Sequence, residues 1–160
     1  MPTHTLLLTK SPIAETGMLI RGPVAEVFEA FVNPAITSRF WFTKGSGRLD
    51  PGATVQWDWD MYGVTVGVTV RAIEQNKRIL IEWGAEDEAP TTVEWTFTPL
   101  KQSETFVGIV NNGFSGTGDE VTSQALDSTE GFTLVLAGLK AFLEHGIELN
   151  LVADRFPEGM

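Results

Sequence analysis

The side chains able to do chemistry are few and scattered. Two histidines occur, His4 and His145, near opposite ends of the chain. A Ser-His-Asp triad would have to use His145 as its base. Gly113-Phe114-Ser115-Gly116-Thr117 resembles a Gly-x-Ser-x-Gly nucleophile elbow for four positions and fails at the fifth. It also lies at a strand end rather than between a strand and a helix, so it reads as a loop. Gly45-Ser46-Gly47 and Gly116-Thr117-Gly118 lack the third glycine of a phosphate-binding loop and read as turns. There is no cysteine, which removes disulfides, thiolate ligands and cysteine nucleophiles together. With two histidines, a zinc site would rest on carboxylates, which zinc seldom accepts. The sequence therefore assigns no catalytic residue, no metal ligand and no cofactor.

The carboxylates Asp58, Asp60, Glu82 and Glu94 alternate away from the apolar positions of their strands. This reads as a solvated outer sheet face. A slip of one residue would turn all four inward, where they would suggest acid–base work. The aromatic residues carry more information. Five Trp and ten Phe stand against a single Tyr, and large aromatics either fill a core or line a cavity. Trp41, Phe42, Trp57, Trp59, Trp83, Trp95, Phe97 and Phe132, with Leu136, form the candidate ligand-binding set. Asn111 would supply an orienting hydrogen bond, as would Thr96 or Asp58 in the alternative register.

The elements that must position these residues follow from periodicity. The first ten residues read as a frayed or early edge strand. Met18 and Ile20 mark a short strand ending at Gly22. Val24, Val27, Phe28 and Phe31 follow the i, i+3, i+4, i+7 spacing of one helical face. Asn33-Pro34 stops that helix, because the residue before proline is pushed out of the helical region. A second short helix is expected over 35–40. From 53 to 114 the period becomes two. Val55, Trp57 and Trp59 share a face, as do Val64, Val66, Val68 and Val70, then Ile79, Ile81 and Trp83, then Val93, Trp95 and Phe97. Short turns join these runs into an antiparallel meander. A last strand begins near Phe106. Helical period then returns, with Phe132, Leu136, Leu139, Leu143 and Ile147 on one stripe. Asp127 and Glu130 have the spacing of a capping box, with an earlier start, by several residues, left open. Lys140 and Glu144 form an i,i+4 pair expected on the surface. Gly146 is expected to kink or loosen this helix, which is expected to stop near Asp154.

The chain of 160 residues suits one domain over 1–160, with its core from about residue 17 to 157. Hydrophobic residues make up 42% and charged residues 20%, which excludes a disordered chain. No apolar run reaches the ~18 residues of a membrane span. The net charge of −10 repels phosphate backbones and anionic lipid, so neither nucleic acid nor membrane is an expected partner. Met1-Pro2-Thr3-His4 opens without the basic-then-apolar pattern of a secretory leader. A cytoplasmic location is the resulting expectation.

The order is strand, two short helices, a strand meander and a long helix. It is carried by Val24–Phe31, Phe40-Trp41-Phe42, Leu49-Asp50-Pro51-Gly52 and Leu136–Gly146. These segments resemble the helix-grip superfamily of START-like, pollen-allergen-like (SRPBCC) domains. Within it they resemble the bacterial branch related to the C-terminal domain of the activator of Hsp90 ATPase. The resemblance implies an α+β helix-grip fold. A curved antiparallel sheet of about six strands wraps around a long C-terminal helix and encloses an apolar cavity. It also implies three readings of function. The first is binding of a small hydrophobic or aromatic molecule, lipid-like or polyketide-like, without catalysis. The second is an enzyme of the polyketide cyclase or aromatase kind. The third is a stress-related co-chaperone-like module that binds a chaperone partner. A homodimer is compatible with each. The expected gate runs over 41–52 together with the end of the last helix.

Overall fold

A computed structural model describes residues 6–85 and 87–160; His4 lies outside them. One seven-stranded antiparallel sheet curls into a half-barrel, in the order β1-β7-β6-β5-β4-β3-β2. Its strands are β1 (Ala14–Ile20), β2 (Lys44–Gly45), β3 (Thr54–Trp59), β4 (Val64–Glu74), β5 (Arg78–Gly84), β6 (Thr91–Lys101) and β7 (Glu104–Asn112). Helices α1 (Val24–Val32) and α2 (Pro34–Thr37) follow β1, and α3 (Gly118–His145) and α4 (Leu151–Arg155) follow β7. The fold class is thus as the sequence implied, with one strand more. The extra strand is the two-residue β2, which pairs with Trp57 and Asp58 of β3. A run that short leaves no periodic signal. Within the first ten residues, Leu6–Lys10 carry no strand; the sheet starts at Ala14.

The helix boundary at Asn33-Pro34 is built from the backbone and side chain of Asn33. It ends α1 and caps α2, accepting from the Ala35 N–H at 3.1 Å. The period-two runs form the expected strands. Trp95 of β6 lies between Ile79 of β5 and Ile109 of β7, all three buried. The inward face of β7 is Thr105, Val107, Ile109 and Asn111, while Phe106 points out. The outer carboxylates also lie as expected: Glu82 pairs with Arg71 and Glu94 with Arg78. Asp58 departs from the solvated reading, being 9% exposed. It is covered because β2 lies beside it; Gln56 Nε2 and Thr65 Oγ1 donate to it at 3.0 and 2.8 Å.

Helix α3 takes the earlier of its possible starts and ends before its expected stop. It begins at a capping box ten residues earlier than Asp127. The Glu120 N–H donates to Thr117 Oγ1 at 3.2 Å, and the Thr117 N–H donates to Glu120 Oε1 at 3.4 Å. The Gly113–Thr117 segment therefore does link a strand to a helix. Ser115 is exposed there, and His145 stands at the other end of a 28-residue helix, about 40 Å away at 1.5 Å per residue. No triad can form between them. The helix ends at His145, because Gly146 takes the left-handed conformation (φ 66) that a side chain would strain, and its N–H returns to Phe142 O at 2.8 Å. Gly146 is a terminator, and Ile147 lies beyond the helix, exposed.

Phe132, Val135, Leu136 and Leu139 form the buried stripe of α3. Gly138 lets that helix approach the backbone of Phe40, since a Cβ there would stand 3.2 Å from Phe40 O. The Lys140–Glu144 pair is not the surface pair that its spacing suggests. The Glu144 side chain is 9% exposed, and it accepts from Lys140 Nζ at 2.7 Å and from the Arg21 N–H at 2.9 Å. Lys140 also donates to Leu19 O. The pair ties α3 to the end of β1.

Candidate functional site

Trp41 is the centre of the aromatic cluster. It follows α2, where its N–H donates to Thr37 O at 3.0 Å. Its ring lies within 6.1 Å of those of Phe42, Trp57, Trp59, Trp83, Trp95 and Phe132. Phe42 stacks on Trp57 with centroids 5.0 Å apart. Phe28 and Phe31 of α1 pack on Phe97 and Trp95.

Beside this cluster lies a cavity of about 550 Å³. One wall is aromatic: Trp41, Trp83 and Phe132, with centroids 5.6 to 5.9 Å apart. The second wall is a face of α3 bearing Asp127, Ser128, Glu130, Gly131 and Leu134. Asn111 closes the end of β7, and Tyr62, Val152, Arg155 and Phe156 complete the lining. Trp83 and Asn111 meet there because β5, β6 and β7 bring Trp83, Thr91 and Asn112 to one end of the sheet.

Of the ten residues singled out in the sequence, Trp41, Trp83, Asn111 and Phe132 lie on the cavity wall. Phe42, Trp57, Trp59, Trp95, Phe97 and Leu136 pack instead in the buried core behind it. Period two places a residue on the inner face but does not tell wall from core, and the four strand residues among these six lie where the sheet is already covered by rings or by α1. The segment from Thr43 to Gly52 contributes no lining residue. The wall residues outside these ten come from three places, the first being Tyr62 in the turn after β3. Asp127, Ser128, Gly131 and Leu134 lie at i, i+1, i+4 and i+7 beside the apolar stripe, a polar helical face that reads as solvent. Val152, Arg155 and Phe156 were hidden by running α3 on to Asp154. Gly146 just after a last-turn histidine is the signal that would have found them.

Helix α4 folds back over the cavity. Arg155 pairs with Glu130 through Nε, and its Nη2 donates to Glu130 Oε2 at 3.2 Å. In an unbroken helix these residues, 25 positions apart, would be separated by about 37 Å. The hydrogen bond lowers the Glu130 pKa below the usual carboxylate value and raises that of Arg155. The Arg155 guanidinium lies 4.3 Å from the Phe156 ring centroid. Tyr62 donates its hydroxyl to the Val152 carbonyl and lies 3.2 Å from that of Ala153.

The polar end is more constrained. Asn111, 2% exposed, donates from Nδ2 to Thr92 O at 2.7 Å and to Thr91 Oγ1 at 3.0 Å. Because Thr92 O can only accept, the amide orientation is fixed. Oδ1 then accepts from Ser128 Oγ at 2.7 Å. Among the described residues there is no group of three or more potential metal ligands, and no helix is long and apolar enough to cross a membrane.

Residues 21–144 match the family model described as Activator of Hsp90 ATPase homolog 1-like protein, and the chain belongs to that family. No curated protein matches the chain. Among solved structures, it is similar to SSP2350 from Staphylococcus saprophyticus, with 28% identity, a TM-score of 0.72, and 86% of this chain and 95% of that one covered. It shares its fold with DynU16, a protein in the dynemicin biosynthetic locus, at 21% identity and a TM-score of 0.73 over 87% of this chain and 49% of that one. It also shares it with the Aha1 dimer from Colwellia psychrerythraea, at 17% identity and a TM-score of 0.73 over 84% of this chain and 97% of that one.

Proposed function

We propose that this member of the activator of Hsp90 ATPase homolog 1-like family binds a small, largely apolar molecule in the cavity between α3 and the sheet. One observation carries the reading: a cavity of about 550 Å³, walled by the rings of Trp41, Trp83 and Phe132 and bearing a few fixed polar groups. Ligand pockets have this size and this mixture of apolar wall and sparse polar anchors. Affinity would come from apolar burial at ~25 cal/mol per Å², less the cost of capture. Helix α4, tied by the Arg155–Glu130 pair and the Tyr62 hydroxyl, would form the movable side of the mouth.

The test is a fluorescence titration with N-phenyl-1-naphthylamine, a neutral apolar probe. Saturable one-to-one enhancement, weakened at least tenfold by Trp83→Ala in a variant whose circular dichroism is unchanged, supports the reading. Absence of saturable enhancement overturns it. Trp57→Ala is the control, because Trp57 is in the core; it would lower stability before affinity. Family membership favours a second reading, a module that binds a chaperone of the Hsp90 class, and the dimeric relative raises self-association. Stimulation of an Hsp90 ATPase and sedimentation velocity test these in turn.

A further inference from the structure

We infer that the polar end of this cavity selects a ligand carrying a neutral hydrogen-bond donor, a hydroxyl above all, and discriminates against carboxylates. The inference rests on the cavity being a binding site and adds the chemistry of what it takes. It begins with the hydrogens of the Asn111–Ser128 pair. Both Nδ2 protons of Asn111 are spent on Thr91 Oγ1 and Thr92 O. The single proton of the Ser128 hydroxyl is spent on Asn111 Oδ1. What remains is acceptor capacity only: the lone pairs of Ser128 Oγ and the second lone pair of Asn111 Oδ1. A ligand hydroxyl can donate to them. A carboxylate or carbonyl finds no proton there and would leave buried acceptors facing one another, which is the costly arrangement.

The charge on the wall points the same way. Asp127 precedes Ser128 on the same face, and Glu130 is next along it. Among the described residues the cation of the wall is Arg155, which pairs with Glu130 through two of its five N–H donors. The pair cancels, and Asp127 leaves the wall with a negative balance inside a chain of net charge −10. The indole N–H groups of Trp41 and Trp83 are donors without charge and do not offset it. A hydroxylated aromatic or alicyclic molecule fits the apolar wall and the acceptor end together. A fatty-acid carboxylate fits the first only.

Three probes of one shape decide the matter: 2-naphthol, 2-methylnaphthalene and 2-naphthoate, each competed against N-phenyl-1-naphthylamine at pH 7. The expected result is 2-naphthol at least tenfold tighter than either of the others. Ser128→Val, which removes the hydroxyl, is expected to reduce the preference for 2-naphthol below threefold while N-phenyl-1-naphthylamine still binds. If 2-naphthoate binds as tightly as 2-naphthol, or if Ser128→Val leaves the preference intact, the inference is overturned and the cavity reading stands. If no probe binds, the naphthylamine included, both fall.

Discussion

The most informative perturbation is Gly131→Leu, because it separates the cavity from the stability of the fold. Gly131 lies on the cavity wall in the middle of α3, and a Cβ built there meets nothing within 4 Å. A glycine inside a helix costs about 1 kcal/mol relative to a good helix former, so leucine should stabilise the protein by about that much. For a chain of this size, about 1 kcal/mol corresponds to a rise in Tm of roughly 2–4 °C. The same side chain projects four carbons into space a ligand would occupy. Excluding a ligand from burial equivalent to two methylenes, ~0.8 kcal/mol each, already costs about tenfold in affinity. Differential scanning fluorimetry and a naphthylamine titration on the same sample read both effects. A variant with raised Tm and affinity reduced at least tenfold is the expected result. Raised Tm with unchanged affinity would refute the placement of the ligand. Lowered Tm would refute the reading of Gly131 as open wall.

Two further substitutions examine what holds α3 in place. Gly138→Ala forces a Cβ to 3.2 Å from the Phe40 carbonyl; as backbone, Phe40 yields poorly, so overpacking of about 1–3 kcal/mol outweighs the ~1 kcal/mol gained in helix propensity, and a net loss of up to about 2 kcal/mol is expected in urea unfolding. For Glu144, burial pushes the carboxyl pKa up, but the hydrogen bonds from the Arg21 N–H and Lys140 outweigh it, and the net pKa lies below the ordinary 4.5. A carboxylate with a depressed folded pKa stabilises above its unfolded pKa and loses that contribution as pH falls through the folded value. Stability should therefore decline below about pH 4.5, and Glu144→Gln should cost about 1 kcal/mol at pH 7 while flattening that acid limb. An acid limb of unchanged steepness in Glu144→Gln would refute the assignment.

Much of the fold was legible because two strong periods alternate along the chain. Val93, Trp95 and Phe97 announce an inner sheet face, and Phe132, Leu136 and Leu139 a helix stripe, since burial forces both patterns. The two-residue β2 escaped because it has no period to read. The true start of α3 stayed open because Asp127–Glu130 and Thr117–Glu120 carry the same capping spacing, and only the backbone chooses between them. The candidate site was legible only in part for a related reason. Inner-face residues such as Trp57 and Trp83 look identical in sequence. Trp57 becomes core because Phe42 stacks on it, whereas Trp83, near the end of β5, stays open to the cavity. Arg155 and Glu130 meet because Gly146 and Asn150, both left-handed, turn the chain between α3 and α4.

An apolar ligand held by the wall of Trp41, Trp83, Asn111 and Gly131 must perturb the N–H groups of that wall. Amide and side-chain N–H spectra recorded by nuclear magnetic resonance during a naphthylamine titration test it most directly, since five tryptophan indoles report separately. The largest shifts are expected at the Trp83 indole, the Asn111 side-chain amide and the Gly131 backbone, saturating together. Shifts absent from these three, or centred on another face of the molecule, would contradict it.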